Sequence, residues 1–64
     1  MACSAAYEQV KEMDTKNPKN FKEHLFYNYK INASFEAEEM HDWNSAKLYS
    51  EKALRAFSGE NVYP

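Results

Sequence analysis

Glu38 and His41 are the residues whose types and spacing come nearest to doing chemistry in this chain. Two residues three apart on a helix project from one face, and di-iron carboxylate bundles use Glu-x-x-His pairs as ligands for that reason. Glu36, Glu39 and Asp42 would add oxygen donors beside them. A complete site needs a second such pair and two further Glu, so only a dimer would supply it. The simpler reading is a solvated acidic helix end. On that reading no cofactor is expected, and Glu38 and His41 are the only metal candidates. His24 sits beside Glu23 with no second His four residues on, so a zinc pair is missing. Cys3 has no patterned His and Asn partners for nucleophilic catalysis. A single glycine excludes a phosphate-cradling loop. The chain therefore reads as a non-enzyme.

Two other features bear on binding. Glu36 lies between apolar positions, where an unpaired carboxylate is costly to bury. An interhelical clasp with Lys52, or with the Tyr27 or Tyr49 hydroxyl, would satisfy it. The chain also carries five Tyr, four Phe and one Trp. Three short helices cannot hide all of these. Phe26, Tyr27, Ile31 and Phe35 are expected to leave an exposed apolar patch of a few hundred Å2, the mark of self-association or protein docking. So small a chain has little room for a ligand cavity.

The elements that must position these residues are legible from punctuation and periodicity. A first helix is predicted over about 4–14, capped by Ser4, with Ala6, Tyr7, Val10 and Met13 on one face. Residues 15–17 form a loop. Asn17 would cap a second helix from Pro18, which suits the first helical position, to about residue 40. That helix is apolar on most of its circumference, so it is read as the central element. His41 and Asp42 make a turn, and Asp42 caps a third helix over about 43–58. There Trp43, Ala46, Tyr49, Ala53, Leu54 and Phe57 face inward as the structural core. Trp43 and Tyr49 are placed against Phe35 and Met40 of the second helix. Gly59 ends the third helix, and 59–64 is an extended tail. The fold class is all-α: a short helix followed by a long antiparallel helical hairpin, in one small domain.

Composition excludes much else. With 64 residues the chain is too short for a doubly wound nucleotide-binding sheet. One Gly and two Pro are too few for the turns of an all-β fold. The net charge of −2 leaves no basic excess for nucleic acid. No run is long enough to span a membrane. The first residues lack the basic and apolar regions of a secretory signal.

Two resemblances follow from the stretch 42–64. Asp42-Trp43, Ala46, Tyr49 and Lys52-Ala53-Leu54 resemble the second helix of a tetratricopeptide repeat. Lys30 falls where that repeat usually has a large apolar residue, and one repeat alone makes no solenoid. Residues 29–64 also resemble the helical segment of the OmpA-family outer-membrane lipoproteins of alphaproteobacteria. Glu36, Asp42-Trp43, Lys52-Ala53, Gly59-Glu60 and Val62-Tyr63-Pro64 carry the likeness.

The second resemblance implies a periplasmic, outer-membrane-associated spacer or docking segment tied to cell-envelope integrity. It gives Ala2-Cys3, after an added Met1, the look of a lipoprotein cleavage site with Cys3 as the acylated residue. Membrane contact would then run only through a lipid on Cys3, and peptidoglycan contact only through a further domain outside these residues. The first resemblance implies a cytoplasmic adaptor that binds a partner protein. A dimeric metal-binding bundle through Glu38 and His41 is the third reading.

Overall fold

The computed structural model describes residues 5–13 and 16–59. They form three helices: α1 (Ala5–Glu12), α2 (Phe21–Glu38) and α3 (Trp43–Phe57). No strand occurs among the described residues, so the chain is all-α. Ser4 and Asp14, expected at the ends of the first helix, lie outside them, as do Cys3 and the tail beyond Gly59.

The start of α2 differs from the sequence expectation. Asn20 caps it, not Asn17, and Pro18 precedes the helix. Asn20 is extended (φ −148°, ψ 176°) and its side chain accepts from the Glu23 backbone N–H. Glu23 reaches back, its Oε1 accepting from the Lys19 N–H at 2.9 Å. This is close to a reciprocal capping box, and it satisfies two backbone donors together. Pro18 offers only a preset φ and satisfies no donor, so the Asn-x-x-Glu signal prevails. Asn20→Ala is therefore expected to cost about 1 kcal/mol. Asn17→Ala should leave the urea midpoint unchanged; equal losses at both sites would return the cap to Asn17.

The end of α2 also moves inward, to Glu38 from the expected residue 40. The Glu39 and Met40 N–H groups both donate to the Phe35 carbonyl, at 2.9 and 3.2 Å. The Asp42 N–H donates to the Glu36 carbonyl at 2.7 Å. His41 makes the reversal with φ 55°, a left-handed conformation that L side chains adopt at a cost. Asp42 then caps α3. Its carboxylate accepts from the Ser45 N–H at 3.1 Å and the Ser45 hydroxyl at 2.9 Å. The Ser45 backbone bond first, and the hydroxyl second, hold this carboxyl below its ordinary range. At the far end Gly59 takes φ 93°, which favours glycine, and its N–H donates to Ala56 at 3.0 Å.

Two apolar clusters hold the helices together, and each draws on all three. Tyr7, Ala33, Ala37 and Ala46 form one, with Trp43 and Tyr49 packed on it. Val10, Phe26 and Ala53 form the other, flanked by Met13, Tyr29, Leu54 and Phe57. Tyr7 and Val10 are three apart, so one face of α1 enters both clusters. Ala33, Ala37, Ala46 and Ala53 are essentially fully buried. Small side chains at these positions let α2 and α3 approach closely. Ser50, also buried, satisfies its hydroxyl by donating to the Ala46 carbonyl at 2.7 Å.

Two expectations about the core need correction. Phe26 belongs to no exposed patch: it is 0% exposed and meets Phe57 edge-on at 5.3 Å. Phe35 and Met40, expected beneath Trp43, are more than half exposed. Trp43 meets Tyr7 edge-on at 6.2 Å. α1 thus lies on the side that Trp43 faces. Of the other residues assigned to the core, Ala46 and Ala53 are buried, whereas Tyr49, Leu54 and Phe57 sit half-buried at its rim.

Candidate functional site

The outward face of α2 leaves three large apolar side chains exposed. Phe21 is 65% exposed, Ile31 49% and Phe35 51%. At 100° per residue these three share an arc of roughly 80°. His24 and Asn28, both exposed, fall inside the same arc. Phe26, Ala33 and Ala37 lie on the opposite side, which explains why they turn inward. Tyr27 stands at the edge of the arc and is half-buried. The exposed apolar surface is thus Phe21, Ile31 and Phe35, with Tyr27 at its margin. Phe21 is not among the residues the sequence assigned to the exposed patch. Its spacing of seven and fourteen from Asn28 and Phe35 was the available signal.

The Glu-x-x-His pair is not on one helix face. Glu38 is the last residue of α2, and His41 sits three residues on, in the left-handed turn. Glu38 has a partner already: its Oε2 accepts from the Tyr7 hydroxyl at 3.0 Å. No group of three or more His, Cys, Asp or Glu comes together to hold a metal among the described residues. His24 is solvent-exposed on the outer face.

The clasp expected of Glu36 is not found: among the described residues its side chain makes no hydrogen bond or ion pair with Lys52, Tyr27 or Tyr49. Lys52 does not pair with Glu36; its Nζ lies 5.7 Å from the centre of the Tyr49 ring. Glu36 contributes its backbone carbonyl to the turn. Glu38 and Tyr7 instead join α2 to α1 across 31 residues of sequence, a pairing no local pattern signals. Lys30 supplies a second tie between these helices, its Nζ donating to the Met13 carbonyl at 2.5 Å. A cation is favourable there, just past the C-terminal end of α1. This gives Lys30 a role at the position where a tetratricopeptide helix would carry a large apolar residue.

Burial pushes the Tyr7 phenol up, and the Glu38 hydrogen bond and charge add to it, against a lowering contact from Ser34. The folded state therefore holds this proton after the unfolded chain has released it. Stability is full below the ordinary tyrosine range near pH 10 and falls as pH rises through the raised folded value. Tyr7→Phe should remove that alkaline loss while costing little at pH 7. Identical alkaline profiles for the two proteins in urea melts would show that Tyr7 is not the group responsible.

Against known families, curated proteins and solved structures, the chain has no match. No helix among the described residues is long and apolar enough to cross a membrane.

Proposed function

We propose that this chain is a non-enzymatic helical spacer or docking segment, and that the outer face of α2 is its docking surface. The observation that carries this reading is the exposure of Phe21, Ile31 and Phe35 together on one face. A domain this small gains most of its stability from apolar burial. Leaving two Phe and one Ile outside is what a protein-binding surface does.

The finer architecture we infer is an antiparallel hairpin of α2 and α3, tetratricopeptide-like at its turn. Its support is the order of contacts. Phe26 meets Phe57, Tyr29 meets Tyr49, and Ala37 shares a cluster with Ala46. Partners on α3 thus come earlier as positions on α2 come later. Buried Ala at 46 and 53 is also the small-residue pattern of that repeat's second helix.

The setting we favour is the periplasm, in an outer-membrane lipoprotein anchored through Cys3, on the strength of the resemblance in 29–64. An adaptor that binds a partner protein in the cytoplasm is the second reading, carried by the same exposed face.

Photo-crosslinking in the native cells tests the docking role. A photoreactive phenylalanine in place of Ile31 or Phe35 should give a discrete adduct. The same probe in place of Lys47, exposed on α3, should give none. No adduct from either α2 position would end the docking reading. Metabolic labelling with a fatty acid separates the two settings: label on Cys3 supports the anchor, and its absence leaves the adaptor.

A further inference from the structure

We propose that the outer face of α2 binds a second copy of this chain, the two helices antiparallel and Asn28 against Asn28 on the two-fold axis. This rests on the docking role above and names its occupant. The first observation is the spacing of the outer face. Phe21, His24, Asn28, Ile31 and Phe35 follow one another at intervals of three, four, three and four. That alternation keeps the five on one stripe of the helix, with Phe21, Ile31 and Phe35 as its exposed apolar members. It lies opposite Phe26 and Ala37, which pack toward α3, so none of the described helices covers the row.

The second observation is symmetry. Asn28 is at the middle of the row, with Phe21 seven residues before it and Phe35 seven after. Two antiparallel copies centred on Asn28 bring Phe21 of each against Phe35 of the other, at both ends at once. That is the self-complementarity a two-fold interface demands. Asn32 already donates to the Asn28 backbone carbonyl at 3.1 Å, and the Asn28 amide has no bond to any described residue. Two such amides at the axis can bond each other, and a polar pair in an apolar seam fixes its register.

Charge chooses antiparallel over parallel. The chain entering α2 carries Lys16 and Lys19, whereas its last turn and exit carry Glu36, Glu38 and Glu39 with no basic residue in that turn. Carboxylates at a helix C-terminus face the negative end of the dipole, which is unfavourable. An antiparallel copy brings Lys19 and the positive end of its own α2 to Glu39. A parallel copy would set Lys19 by Lys19 and Glu39 by Glu39. The apolar area is modest: an aromatic side chain buries about 150–250 Å2, and these two Phe are already part-covered. The dimer therefore belongs with small, reversible interfaces below about 1,200 Å2 in total.

Sedimentation equilibrium of the full chain under reducing conditions is the test, with circular dichroism as the check on folding. Dimer formation in the micromolar to submillimolar range is expected. Phe35→Asp should weaken it at least about tenfold while keeping the helical signal, since Phe35 takes no part in either core cluster. Lys19→Glu and Glu39→Lys should each weaken it, and the double variant K19E/E39K should recover it, because the charges exchange ends. A monomer at every concentration overturns the proposal. So does a dimer indifferent to Phe35→Asp, or a double variant no better than either single one. A monomeric chain that still gives a crosslink to a different protein from position 31 or 35 would sink the dimer and leave the docking role standing.

Discussion

Phe26→Ala should leave the chain largely unfolded at room temperature. Phe26 is the largest fully buried side chain. It stands where the three helices meet, against Val10 of α1 and against Ala53 and Phe57 of α3. Truncating a buried Phe costs about 3–5 kcal/mol, the lost transfer energy plus the cavity left behind. A core of this size seldom supplies more than about 3–5 kcal/mol in all. The two figures are comparable, so the loss should show as a collapsed far-UV helical signal, with only a remnant recovered on cooling. Trp43→Ala, although it removes a larger ring, should cost less. Trp43 is half-buried and touches the rim of one cluster. If Trp43→Ala proves the more damaging in parallel urea melts, the centre of the core lies at the Tyr7 end and not at Phe26.

That reversal of rank between Phe26 and Trp43 shows where sequence reasoning stopped. The three helices, the Asp42 cap and the Gly59 terminus were legible, because each depends on residues within one turn of one another. α1 was legible by its periodic face. α2 was not legible in the same way. It carries Phe, Tyr or Ile at all azimuths, so no face is set apart by composition. Which Phe enters the core is decided by where α1 and α3 sit, and that is a property of the assembled molecule. The same ambiguity placed Phe26 in the candidate patch and omitted Phe21. Ile31 and Phe35 were named in the sequence and stand exposed in the structure, but the seven-residue spacing joining them to Phe21 and Asn28 was overlooked. The boundaries of α2 failed for a local reason. Pro18 was weighed as a start signal alone, whereas Asn20 and Glu23 satisfy two backbone donors as a unit. Glu38 was weighed as a metal candidate beside His41 and read as part of a solvated helix end, while its partner in space is Tyr7.

Ala53→Leu carries the second large expected effect, and it tests the close approach of the helices directly. Ala53 is 0% exposed, clustered with Val10 and Phe26. Leu is nearly as good a helix former as Ala, so local propensity changes little. Leu is also more apolar, so a loosely packed site would gain from the change. Any loss must then come from volume. With no exposed surface at Ala53, three added carbons must displace its neighbours Val10 and Phe26, and overpacking a tight core costs about 1–3 kcal/mol, occasionally more. For a domain of this length each kcal/mol moves the midpoint by about 4–8 °C. A fall of at least about 4 °C is expected, together with weaker edge-on packing of Phe26 on Phe57 in near-UV spectra. The control is Leu48→Ala on the exposed side of α3, where surface changes stay within about 0.5 kcal/mol. A raised midpoint for Ala53→Leu would mean that α1, α2 and α3 meet with room to spare. The alanines at 33, 37 and 46 would then owe their place to helix propensity, and not to the approach of one backbone to another.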